Sequence, residues 1–137
     1  MTSSGFVVHA GGGEPAPGAG GSLLASAADT GGAFSLLLSR APAGDHVPRH
    51  VHHAVDEAFY VLDGQYRIQS GDQTWTAAVA TSSSYPAASR TAYDVVGGPA
   101  RKLIIAVPGG IEYFFDDLAN GVDPITLTHR HGVRFPD

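Results

Sequence analysis

The sequence predicts an all-β domain, a small antiparallel barrel with short helices confined to its C-terminal end. Three observations predict it. Short apolar runs rich in β-branched and aromatic residues recur from Ala33 to Val107, punctuated by Gly, Pro, Asp and Ser clusters. Apolar residues fall into helical spacing only from Ile111 onward. The 137 residues suit one domain, 1–137, long enough to bury a core without disulfides.

The elements follow in order. Gly11 to Gly18 reads as a loop, flanked by short strand-like runs at Phe6-Val7-Val8 and Ser22-Leu23-Leu24. Ala33 to Ser39 is a compact apolar strand, and Ala41 to Asp45 a turn. Ala58 to Leu62 is aromatic and β-branched, and Asp63-Gly64 after it signals a tight hairpin returning through Gln65 to Gln69. Ser70-Gly71-Asp72 is the next turn. Strands are then expected at Thr74 to Thr76, Val79 to Tyr85, Thr91 to Val96 and Lys102 to Val107. Ile111, Phe114, Phe115 and Leu118 mark a helix that Gly121 stops. Asp123-Pro124 is an N-cap with proline at the first helical position, and Gly132 closes that second helix. Both helices are expected to pack outside the sheet, with their aromatics in the core.

Composition narrows the function classes. The chain has no cysteine, so it has no disulfide, thiolate metal site or cysteine nucleophile. Net charge is −5 with no Lys/Arg run, which argues against nucleic acid and anionic membranes as partners. No apolar stretch is long enough to span a bilayer, and the N-terminus lacks a basic region followed by an apolar run. The expectation is a cytoplasmic domain that acts on a small molecule.

The chemistry concentrates in Gly44 to Gly64. His50 and His52 are two apart, which on a strand puts both imidazoles on one face. Four residues connect them to Glu57, and a hairpin there would carry the carboxylate back beside them. Two neutral imidazoles and a carboxylate on one side of an ion leave the other positions open, the facial arrangement suited to Fe(II) and other divalent ions. His46 and His53 are expected to stay outside this set. Because imidazoles ligate only when neutral and Glu57 only when ionised, metal release is expected as pH falls through the histidine range.

Gly44, His50, His52, Glu57 and Gly64 resemble, in type and spacing, the first conserved motif of the cupin superfamily. Thr30 to Phe34 and Val107 to Gly110 extend the likeness, which is nearest to small single-domain quercetin-dioxygenase-like members. The resemblance implies a double-stranded β-helix, or jelly-roll, fold. It also implies that His50, His52 and Glu57 hold one divalent ion (Fe, Zn, Mn or Ni).

The second cupin motif is degenerate. Anchored on Pro86, it places Ala80 and Ala88 where relatives carry glycines, Thr91 at the fourth ligand's histidine and Val95 at an asparagine. A threonine hydroxyl is a poor partner for a transition metal, so a position is left to water or a chelating substrate. Thr91 is expected to face the cavity, Tyr93 to share it, and at least one of Ser82, Ser83 and Ser84 to point inward.

Glu57, Tyr93 and Thr91 are therefore the candidate catalytic residues. The first functional expectation is a metal-dependent dioxygenase of a small aromatic or enolic molecule. The alternatives are a non-redox cyclase, isomerase or dehydratase of the kind that cupins supply to polyketide pathways, and a degenerate, non-catalytic ligand-binding cupin. Small cupins commonly pair, so a homodimer is expected, with the strands around Leu23 and Leu24 as interface material.

Overall fold

The computed structural model describes residues 4–136. Eleven strands form two antiparallel sheets: β1 (Glu14–Ala16), β2 (Gly21–Ala25), β3 (Ser35–Ala41), β4 (His46–His52), β5 (Asp56–Asp63), β6 (Tyr66–Ser70), β7 (Gln73–Ala77), β8 (Ser82–Tyr85), β9 (Arg90–Val95), β10 (Ala100–Val107) and β11 (Val133–Arg134). One sheet runs β1-β2-β3-β10-β5-β8 and the other β11-β4-β9-β6-β7. Helices α1 (Ile111–Ala119) and α2 (Pro124–His131) follow β10. This is a jelly-roll architecture.

Period-two burial builds the interior. In β3, Ser35, Leu37, Ser39 and Ala41 point inward, and in β10 Ala100, Lys102, Ile104 and Ala106 do. They meet Tyr66, Ile68 and Val95 of the facing sheet. The apolar runs on both faces of β10 leave its parity undetermined in the sequence; its register with β3 and β5 sets it.

Two expected hairpins are absent. The β4 and β5 strands do not pair: β4 lies beside β9 and β11, β5 beside β10 and β8, and residues 53–55 carry the chain from one sheet to the other. Likewise Asp63-Gly64 does not fold β5 onto β6, because these strands also belong to opposite sheets. Gly64 sits at φ 76° with the Pro99 carbonyl 2.7 Å from where a Cβ would stand, so the glycine serves a crossing turn. The tight hairpin lies one strand later, where Ser70 pairs with Gln73 across Gly71-Asp72. Phe6 to Val8 form no strand and are exposed.

The C-terminal signals read as expected. Asp123 caps α2 by accepting from the Thr126 amide at 2.9 Å, Pro124 opens it, and Gly132 ends it at φ 66°. Helix α1 has no capping side chain at Gly110. A buried carboxylate holds it instead: Glu112, in its first turn, accepts from the Ala27 amide at 2.7 Å and from the Ser35 hydroxyl. No helix among the described residues is long and apolar enough to cross a membrane.

Candidate metal centre

His50 and His52 project from β4, and Glu57 faces them from β5 in the other sheet. One ligand atom from each can be chosen so that all three lie within 4.8 Å of one another. His52 Nε2 is 3.1 Å from Glu57 Oε1, and the two imidazoles meet edge to face with centroids 5.1 Å apart. A ring nitrogen of His50, Nδ1, lies 2.9 Å from the Pro48 carbonyl. A carbonyl only accepts, so Nδ1 carries the proton and Nε2 keeps the free lone pair for an ion.

Burial sets the charge states. It pushes His52 down to about 3, with the His50 charge adding to the effect. It lowers His50 as well, against the pull of the Pro48 carbonyl. It pushes Glu57 up to about 7, opposed by the Lys102 charge. Both imidazoles are thus neutral and ready to ligate at neutral pH, whereas Glu57 must lose a proton to do so. Of the three groups expected to take up protons as metal is released, the Glu57 carboxyl is the one that competes for a proton near neutrality. The donor set, two imidazole nitrogens and one carboxylate with nothing soft, fits Fe, Zn, Mn or Ni in the divalent state.

The centre opens into a cavity of about 390 Å³. Phe59 and Tyr93 line it from the two sheets, and Phe114, Phe115 and Leu118 of α1 line it as well. The Phe114 ring stands edge-on to His52 at 5.5 Å. The helix aromatics, expected in the core, are therefore cavity wall as well as core. Gly18 makes this closure feasible: a Cβ there would lie 2.0 Å from the Phe115 carbonyl oxygen, so only glycine lets α1 approach so closely.

Thr91 pairs in register with His50 and is buried, on the same face of the sheet but not on the cavity wall. Tyr93 is on the wall, and burial holds its phenol protonated far above the ordinary tyrosine range. Ser83 is the inward serine of its triplet and accepts from the Tyr85 hydroxyl at 2.6 Å. His46 is exposed at the cavity edge and pairs with Asp94; His53 is exposed.

Ala80 and Ala88 are the described non-glycine residues with positive φ, 64° and 68°. They occupy the two positions where the degenerate motif would carry glycine, so the backbone keeps the motif's turns after the glycines are gone. Sequence reasoning missed Lys102 and Glu112. A lone lysine inside an otherwise apolar strand was the available signal for Lys102.

No family model and no curated protein matches the chain. Solved structures do. KdgF from a Halomonas species superposes with TM-score 0.60 at 11% identity, over 66% of this chain and 79% of that one. DMSP lyase DddQ from Ruegeria pomeroyi DSS-3 gives 0.52 at 18%, over 56% of this chain and 39% of that one. A cupin superfamily protein from Desulfitobacterium hafniense DCB-2 gives 0.51 at 20%, over 55% and 67%. At these identities the likeness is one of fold, and the chain folds as a cupin.

Proposed function

We propose that this protein is a metal-dependent enzyme acting on a small aromatic or enolic organic molecule, and that it is a dioxygenase of the quercetinase-like kind. The observation that carries the reading is the convergence of His50, His52 and Glu57, the imidazoles neutral and oriented, at a cavity lined by aromatic rings. A divalent ion held there would act as a Lewis acid on adjacent substrate oxygens. Phe59, Phe114 and Tyr93 would flank a planar substrate and exclude water. Thr91, set beside His50 without reaching the cavity, leaves coordination room for a chelating ligand. Tyr93, kept protonated, can donate a hydrogen bond but not serve as a base.

A second reading, a non-redox cyclase, isomerase or dehydratase, is favoured by Glu57. Burial pushes its carboxyl up to about 7 in the metal-free site, so wherever an ion leaves it free it can exchange a proton at neutral pH without any oxidant. One fold neighbour is named a lyase. Turnover of a panel of enolic and aromatic acids by metal-loaded protein, with and without oxygen, separates the two. Oxygen consumption stoichiometric with substrate loss supports the dioxygenase; equal turnover under argon overturns it in favour of the second reading. Protein that retains no ion when purified without chelator overturns both. We also propose a homodimer, because Tyr60, Ile105 and Val107 expose an apolar stripe on the outer face of β5 and β10.

A further inference from the structure

The chain contains a single lysine, Lys102, and the fold places it inside the barrel at 1% exposure. Lysine is among the residues least often buried without a partner. Its Nζ has no hydrogen-bond acceptor. It sits instead among three aromatic rings, 3.5 Å from the Tyr93 centroid, 4.4 Å from Phe59 and 4.6 Å from Tyr66. The Tyr66 hydroxyl is also buried and unpartnered.

Both orphan groups donate, and a buried donor is costly until an acceptor reaches it. Two of the caging rings, Phe59 and Tyr93, are also walls of the cavity. Along β5 and β10 the inward pairs are Glu57 with Ala106, Phe59 with Ile104 and Val61 with Lys102. The ammonium's strand position is therefore two inward rungs below the ligating carboxylate. Burial pushes Lys102 down to about 7, opposed by the charges of Glu57 and Asp45, yet neither carboxylate bonds to it.

We propose that Lys102 and Tyr66 form an anion subsite beneath the metal centre that receives the carboxylate or enolate oxygen of a small organic acid. This deepens the functional reading by naming the substrate class, and the subsite itself does not depend on the ion. Phe59 and Tyr93 separate Lys102 from the open cavity, so their rings turn aside to admit the anion and then flank its apolar part.

The single lysine makes the test direct. The full chain labelled with ¹⁵Nζ/¹³Cε-lysine gives one side-chain resonance. Benzoate is titrated into metal-free and Zn(II)-loaded protein, with benzamide as the neutral control of the same shape. The expected result is a saturable shift of the Lys102 resonance with benzoate and none with benzamide. Lys102→Met should weaken benzoate binding at least about tenfold, the loss expected for a charge-assisted hydrogen bond, and Tyr66→Phe should weaken it less. A resonance unmoved at saturating benzoate, or moved equally by benzamide, overturns the subsite and leaves Lys102 as a core cation held by its rings. The unmodified protein decides this even if the variants do not fold. Loss of Zn(II) binding with the benzoate response intact sinks the metal reading and sustains the subsite.

Discussion

The proton on Glu57 should dominate metal affinity between pH 5 and 7. Burial pushes this carboxyl up to about 7 and His52 down to about 3. An ion entering the site at pH 5 must displace a proton from a Glu57 that is only ~1% ionised. The apparent affinity there should be ~100-fold weaker than above pH 8, a difference of about 2.7 kcal/mol. His52 adds nothing in this window because it is already neutral. Two histidines with ordinary values near ~6.5 would each add a further ~30-fold at pH 5.

The slope of log affinity against pH should therefore approach about one per unit between pH 5 and 6.5. Competition between the protein and a pH-calibrated chelating dye for Zn(II) measures it. A slope of two or more would refute the reasoning, since it would mean the imidazoles hold protons that burial should have removed. Glu57→Gln should flatten the profile while weakening binding throughout. Lys102→Met should move its onset to higher pH, because the lysine charge is what opposes the burial of Glu57. The metal-free fold carries the opposite sign. Folded Glu57 keeps a proton that the unfolded chain gives up above about 4.5, so the stability of the metal-free protein should fall as pH rises from 4.5 to 7.

The remaining expectations concern ligands, backbone and assembly. His50→Ala and His52→Ala should each cut metal content sharply in elemental analysis, with His46→Ala and His53→Ala as controls that keep it; full retention by both of the first pair would move the site elsewhere. Thr91→His should supply a fourth nitrogen beside His50 and tighten Zn(II) binding at least about tenfold, and unchanged affinity would show that the β9 side chain cannot reach the ion. Ala80→Gly and Ala88→Gly should each raise chemical-denaturation stability by about 0.5–1 kcal/mol, the left-handed strain relieved less the entropy cost of glycine, and a loss at both would contradict the strain reading. Tyr60→Glu should shift a dimer to monomer in light scattering, and an already monomeric parent chain would remove the proposed interface.

Most strands and both helices were legible because burial alternates along strands and α2 carries explicit start and stop residues. Pairing was less legible. A tight turn such as Asp63-Gly64 looks the same whether it folds a strand back on itself or carries the chain across to the opposite sheet, and only the packing of Gly64 against Pro99 and Ala100 distinguishes them. His50, His52 and Glu57 were named correctly as a cluster but for the wrong geometric reason, since β4 and β5 never pair. Lys102 escaped notice because apolar residues occupy both faces of β10, so nothing local told which way the lysine pointed. The turns at Ala80 and Ala88 were hidden because alanine carries no sign of a left-handed backbone.

The division of the candidate ligands between the two sheets would make an ion held there a staple across the sandwich. His50 and His52 sit on one wall and Glu57 on the other, joined by a short covalent link. Any molecule that wedges the walls apart at that end must stretch the coordination, and one that draws them together must tighten it. By reciprocity, the ion then alters the grip on that molecule by the same factor as the molecule alters the grip on the ion.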